Sequence, residues 1–398
     1  MEVKLTKSIR FMGMILSGLW LMFVTGHRIF SGQSYLWNVF GSLPAFCFGL
    51  IPVCLLIYEV SRRKRHWLNM LMIALAFILG ATQLDINLFP MKNEKIRPNQ
   101  YTEIKVFNWN TCFWDQYKDQ DRYYRFLRKQ RADIYILQEY LYDSIDWTNS
   151  NSPARMRKSA EKADGARLFS ICSVVPGFSP HYLAIDARDR IAQEFPGYHI
   201  RTNLQFVLIS RFPIEEAHAD YSEQYAVYDI DIQGRPVRFF NVHMLLHVQP
   251  GNPFVPSFYR ELKQRYVARR LGFKNLQEDI RKTRGAYFIA GDFNSTTAMG
   301  VMDELLKAHV DAARYSSELI PLSFEFSGLR FWRFDYGLAP KNNDLIRIKT
   351  YQNLDQEGLS DHNPQMLVLG LKTAPERTAP TVYSPVDCTM NIDKSVDF

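Results

Sequence analysis

A carboxylate and a carboxamide two residues apart, Asp292 and Asn294, sit in the stretch GAYFIAGDFNSTT at residues 285–297. The apolar run Tyr287 to Ala290 is short enough for a buried strand, and Gly291 marks its end. If the extended geometry persists, both side chains project to the same side. A general base and a hydrogen-bond donor would then face one substrate oxygen. By itself Gly-Asp-x-Asn is a common strand-ending turn. Four further polar clusters of the same form give it weight.

In VFNWNT, Asn110 closes an apolar run, where its amide offers oxygen to a hard cation or nitrogen to a phosphate. In ADIYILQEY, the run Ile134 to Leu137 delivers Glu139. A carboxylate there is costly unless paired, solvated or metal-bound, and Glu139 is the first choice of Mg²⁺ ligand. RFFNVHMLLH sets Asn241 and His243 on one strand face, with His243 able to protonate a leaving oxygen or bind a phosphoryl oxygen. His247 lies four residues on, a spacing that strand geometry does not turn into a metal pair. FWRFDYG carries Asp335, and GLSDHNP carries Asp361 and His362 in a turn stopped by Pro364. A carboxylate bonded to imidazole fixes its tautomer and raises its basicity. Asp335 is expected to orient His362 in this way, leaving Asp361 to support the metal. Arg211, in LISRFPI, reads as a structural or substrate-side contact.

These clusters need strands to hold them, and the chain from residue 101 alternates strand and helix patterns. Strands are predicted at 104–109, 132–137, 198–202, 204–210, 226–232, 236–243, 333–338, 347–351 and 365–371, with a hairpin around Gly234. Helices are predicted at 121–130 and 258–281. Residues 140–191 are polar and irregular and read as a long insertion over one face. Residues 86–100 form a linker, 101–372 the catalytic domain, and the Pro- and Thr-rich tail 373–398 is expected to be disordered.

Residues 1–85 differ in kind. Three uncharged apolar stretches, about 11–27, 35–58 and 67–84, are each near the ~20 residues that cross a bilayer. Ten Lys/Arg against four acids in residues 1–95 account for most of the net charge of +7, so the remainder is near neutral. The basic surplus therefore follows membrane topology rather than a phosphate-backbone surface. Residues 61–66, SRRKRH, and the basic N-terminus are expected in the cytoplasm, leaving the domain outside it, on a multi-pass anchor in the cell (inner) membrane. The five cysteines make no disulfide scaffold and no C-x-x-C pair. A Cys112–Cys172 bridge is one option in an oxidising compartment.

Taken in order, N-W-N-T, L-Q-E, S-R-x-P, N-V-H, G-D-F-N, D-Y and S-D-H resemble the endonuclease/exonuclease/phosphatase superfamily over residues 102–372. The resemblance implies an α/β (α+β) four-layer sandwich, two mixed β-sheets flanked by helices. By position it implies metal-site roles for Asn110 and Glu139, with Asp361 on the metal side. It implies active-site histidines at His243 and His362, a water-orienting pair in Asp292 and Asn294, and Asp335 as partner of His362. Two positions depart from the pattern. Cys112 stands where some members carry an acid, and no carboxylate partner of His243 is evident, with Asp186, Asp189 and Glu194 the candidates. The three apolar stretches resemble the membrane-anchored bacterial branch.

The expected activity is phosphoester hydrolysis assisted by Mg²⁺, with Mn²⁺ an alternative, since the ligand set is all oxygen. A domain tethered to a lipid bilayer suits a lipid phosphate, pyrophosphate or phosphodiester substrate. Nucleic acid ranks below it, and no obligate protein partner is implied. The rivals are an extracytoplasmic nuclease and a non-catalytic receptor on a hydrolase fold.

Overall fold

The computed structural model describes residues 2–62, 65–91, 100–114, 119–142, 168–170, 175 and 181–373. Two six-stranded mixed sheets stack face to face. The first runs in the order Ile346–Asn353, Gln365–Lys372, Tyr101–Asn110, Ile134–Gln138, Phe206–Ser210, His199–Asn203. The second runs His309–Asp311, Asp335–Pro340, Ala286–Asp292, Arg235–His243, Tyr225–Ile232, Ile214–Ala219.

Alternation along the strands builds the layers. Ile104 and Val106 face the space between the sheets, with Ile136, Leu208, Phe239, Phe288 and Leu367. Phe107 and Trp109 face the other way, onto Tyr123 and Leu127 of the helix Gln120–Lys129. On the second sheet, Phe240 and Ile289 face outward onto Phe273 and Leu276 of the helix Pro256–Lys282. All five residues of Ile134–Gln138 and of Phe206–Ser210 are buried, which is why these read as unbroken apolar runs. The expected sandwich of two mixed sheets flanked by helices is the one observed.

Sequence patterning did not anticipate the short strands Ile214–Ala219 and His309–Asp311, or the hairpin of Phe324–Phe326 and Leu329–Trp332. Within the stretch read as irregular, Leu141–Tyr142, Leu168–Ser170 and His181–Ala184 form a small sheet, and Arg188–Glu194 is helical. The rest of that insertion, the linker residues 92–99 and the tail from 374 lie outside the described residues. So do Cys172 and Cys388.

The expectation of three spans needs correction. Among the described residues one helix, within Glu2–Phe30, is long and apolar enough to cross a membrane, over Phe11–Phe30. The second stretch breaks into a 3₁₀ helix, Tyr35–Ser42, and a helix, Cys47–Val60, bent by 66°. Pro44 lies at that break, where a missing N–H ends regular helix. The third helix, Trp67–Ala81, has 15 residues, about 22 Å of rise against a hydrocarbon core of about 30 Å.

These elements bundle together and dock on the catalytic domain. Val24, Phe48 and Leu79 cluster with Ala298 at the domain end, while Glu59 bonds Arg62 and Asn69 at the far end. The first and third helices therefore run toward the domain and the second runs away. Buried His27 bonds the Ala298 carbonyl at 2.7 Å and receives the Trp37 indole N–H at 2.8 Å. Arg333, 2% exposed, is held between Asp85 of the N-terminal segment and Asp311. Gly300 lies so close to the Ser31 carbonyl that a Cβ there would sit 2.3 Å from its oxygen.

That contact yields a test of docking. Gly300→Val should force the bundle off the loop 294–300, costing about 1–3 kcal/mol by overpacking and exposing the loop to protease. A wild-type Tm and cleavage pattern would refute it.

Candidate active site

Gly291 makes the site possible. Its φ is +143°, and a Cβ there would meet the Val242 carbonyl at 1.9 Å. With no side chain in the way, Ala286–Asp292 lies parallel to Arg235–His243 in a register that sets Asp292 beside His243. On its other flank Asp292 pairs with Asp335. One row of the second sheet thus ends in His243, Asp292 and Asp335. Opposite, Asn110 and Gln138 end paired strands of the first sheet, one residue before Glu139.

The chain then leaves extended geometry. Glu139 has φ +62° and Asn294 φ +45°, and Cys112, Phe113 and Trp114 are three successive left-handed residues. Each costs on the order of 1–2 kcal/mol in a non-glycine residue. The expected same-side projection of Asp292 and Asn294 along a strand is corrected here: the strand ends at Asp292, and a turn brings the two together. Asp292 Oδ1 accepts from the Asn294 backbone N–H at 2.7 Å and Oδ2 from its side-chain amide at 3.2 Å. The turn around Cys112 aims the Phe113 N–H at Glu139 Oε2, 2.9 Å away.

Between the sheets, Asn110 Nδ2 donates to Asp292 Oδ2 at 3.0 Å and to Glu139 Oε1 at 3.1 Å. Its oxygen accepts the Cys112 N–H at 3.0 Å. Asn110 therefore acts as an amide bridge between two carboxylates. His362 Nδ1 bonds Asp335 Oδ2 at 2.7 Å, as expected, and its Nε2 lies 3.7 Å from Asp292 Oδ2. Ser360 fixes this loop by donating to the Asn110 carbonyl at 2.8 Å. Asp361 lies beside it, and its charge reaches both Glu139 and His362. All eight residues singled out from the sequence thus belong to one cluster.

Gln205 is the partner of His243 that sequence reading missed. It is fully buried, and its Oε1 lies 2.6 Å from His243 Nδ1. The Gln205 amide nitrogen donates to the Glu223 carbonyl at 2.8 Å, so the oxygen must accept from His243. The three carboxylates considered for this role do not orient His243. Glu194 pairs with Arg128 and Arg190, Asp186 pairs with Arg188, and Asp189 lies in the first turn of the helix Arg188–Glu194. A glutamine in a hairpin turn carries no sequence signal of this kind.

A second residue was missed: Arg269, 4% exposed, on the buried face of Pro256–Lys282. It donates to Ser295 Oγ at 2.6 Å and to the Leu245 carbonyl, and its charge reaches Asp292. An arginine at an apolar-stripe position, four residues before Phe273, was the available signal. Arg211, by contrast, bonds Tyr198 and Asp133 away from the site.

Electrostatics divide the two imidazoles. Burial would strip the proton from His362, but the charges of Asp335 and Asp292 outweigh it and hold its pKa well above the usual range. Burial, helped by the His362 charge, pushes His243 down to about 3. Neutral His243, protonated on Nδ1, presents a lone pair on Nε2. That atom lies 3.5 Å from Glu139 Oε1 and 3.8 Å from Asp292 Oδ2. These three atoms face one gap. Burial and the neighbouring Asp361 raise Glu139, and burial lifts Asp292 to about 7. This donor set fits a hard divalent cation, and Glu139, with 17% of its side chain exposed, lies on the accessible side. Asp292, Asp335 and His362 also lie close enough to share an ion. The Asp335–His362 hydrogen bond accounts for their proximity without one.

The raised Asp292 sets a pH dependence. The native state holds this proton more tightly than the unfolded chain, so stability falls as pH rises from about 4 through 7. In metal-free buffer, the loss of stability between pH 4 and pH 8 should be smaller in Asp292→Asn than in wild type, by a few kcal/mol. Equal Tm differences at both pH values would contradict this.

Comparison with known proteins identifies the family. The profile of the Endonuclease/Exonuclease/phosphatase family matches residues 107–362. No curated protein matches the chain in sequence. Among solved structures, the chain is similar to an endonuclease/exonuclease/phosphatase from Bacteroides vulgatus, at 15% identity and TM-score 0.41, covering 68% of this chain and 100% of that one. A family protein from Leptotrichia buccalis is 15% identical with TM-score 0.39, covering 66% and 98%. A 3′ phosphatase from Neisseria, bound to a product DNA hairpin, is 14% identical with TM-score 0.38, covering 66% and 98%. With the family profile spanning the strand-end residues from Asn110 to His362, the chain belongs to the endonuclease/exonuclease/phosphatase family.

Proposed function

We propose that the protein is a membrane-anchored, divalent-metal-dependent phosphoesterase that acts outside the cytoplasm on a lipid-linked phosphate, pyrophosphate or phosphodiester. The observation that carries the chemistry is the gap bounded by Glu139 Oε1, His243 Nε2 and Asp292 Oδ2. Glu139 would hold Mg²⁺ or Mn²⁺, with Asp361 adding negative charge nearby. When bound, the ion polarises the phosphoryl group.

The chain's own residues supply the rest. Asp292, poised near neutral pH, accepts a proton from the attacking water. Asn110 and Asn294 hold its Oδ2 by their amides, so the carboxylate is oriented before substrate arrives. His362, cationic and braced by Asp335, donates from Nε2 to a phosphoryl oxygen. His243 serves as an acceptor at the metal-side gap. The ring is neutral, with its Nδ1–H taken by Gln205, which leaves Nε2 as the acceptor.

The lipid assignment rests on the N-terminal bundle. Its outward residues are large and apolar, among them Phe11, Met22, Ile57, Trp67 and Ile78, an exterior suited to lipid. The first helix enters the domain beside the active-site turn, through Ala298, and Arg62 lies at the opposite end of the bundle. That polarity agrees with a cytoplasmic basic end and an external domain.

A phosphate-release panel on the detergent-solubilised full chain tests this reading. Polyprenyl pyrophosphate, phospholipids, inositol phosphates and DNA would be compared with Mg²⁺ and with EDTA. Lipid-linked phosphate should be turned over, EDTA should abolish release, and Asp292→Ala should lose about 100- to 1,000-fold. Turnover of DNA alone, or activity surviving Asp292→Ala, would overturn it.

A further inference from the structure

The hairpin Phe324–Trp332 joins the active site to the N-terminal bundle, and two apolar side chains stand exposed at its tip. On the site side, Phe324 packs on the His362 ring at 4.9 Å, and the Glu325 N–H donates to the Asp361 carbonyl at 2.8 Å. On the bundle side, Phe331 packs on Phe46 at 6.0 Å, and the Trp332 indole donates to the Ser42 carbonyl at 2.9 Å. Between these attachments the turn Ser327–Gly328 carries Phe326 and Leu329, exposed at 59% and 56%. Ser42 also bonds His247 at 3.0 Å, and the loop beyond His247 carries Phe254, 93% exposed.

A hairpin held at both sides by aromatic and hydrogen-bond contacts has no internal need for two bare apolar side chains at its turn. Polar residues would serve a water-facing turn better. The return strand, through Phe331 and Trp332, is attached to Phe46 and Ser42, which flank the break in the second apolar segment, so the hairpin stands against the domain end of the bundle's apolar exterior. What solvates that exterior would also solvate the tip.

We infer that the hairpin dips Phe326 and Leu329 into the bilayer surface beside the bundle, holding the Asp361–His362 loop at headgroup level. This rests on the membrane-anchored reading above. Substrate phosphate then meets His362 at the height where lipid headgroups carry it, and a long tail need not leave the bilayer.

The test uses the full chain with its native cysteines replaced by alanine, reconstituted in phosphatidylcholine vesicles. Single nitroxide labels at Leu329→Cys, Ile78→Cys and Glu103→Cys are compared by collision with oxygen and with a water-soluble nickel chelate. Ile78 reports the bundle, and Glu103 lies seven residues before Asn110, at the opposite end of its strand. Leu329 should resemble Ile78, with collisions favouring oxygen over nickel relative to Glu103. If Ile78 lies in hydrocarbon while Leu329 matches Glu103, the hairpin inference alone falls. If both match Glu103, the anchor reading falls with it.

Discussion

The site depends on one hydrogen bond between sheets, from Asn110 Nδ2 to Asp292 Oδ2 at 3.0 Å. A carboxylate that is 1% exposed survives only if its oxygens are satisfied. Asp292 meets that condition with one amide from the first sheet and the Asn294 turn from the second. The same amide holds Glu139, so the spacing of the two carboxylates is set by a single side chain. Whatever fixes the distance between the sheets therefore fixes the site.

That distance is held from below by a ladder of buried amides. Gln138 donates to Asn108 and Asn241, Asn108 to Gln365, and Gln365 to the Asp335 carbonyl. Asn241 returns a bond to the Leu137 carbonyl on the facing sheet. Neutral amides suit this place, because they donate and accept at once and bring no charge beneath two carboxylates. The apolar layer of Val106, Ile136, Phe239 and Phe288 lies beneath, so the polar ladder caps a core that excludes water. The strained backbone at Glu139, Asn294 and Cys112–Trp114 is tolerated where this scaffold is stiffest.

Sequence patterning resolved most of the sandwich because its strands alternate or run unbroken with burial, as at 101–110 and 206–210. It found Asn110, Glu139, His243 and Asp292 because each lies at or just past a strand end, whereas Asp335 opens a strand and Asp361 and His362 stand out only as a motif in a turn. It could not find Gln205, whose role comes from a turn that folds back on His243, nor see that Asn110 presents its nitrogen to the carboxylates. The short edge strands were missed because three to six residues hold too little alternation to register. The membrane estimate erred for a different reason. Composition counts apolar residues, while Pro44 and helix length decide whether they make a straight span. Nothing in the hydropathy of residues 1–85 shows that His27, Ser42 and Asp85 are partners of the catalytic domain.

Mn²⁺ binding, read by its electron paramagnetic resonance signal in the purified full chain, tests most directly whether the two sheets meet to hold an ion. The account predicts one tightly bound Mn²⁺ per chain, lost in Glu139→Gln and displaced by Mg²⁺. Undiminished binding in Glu139→Gln, with the wild-type fold retained, would contradict it.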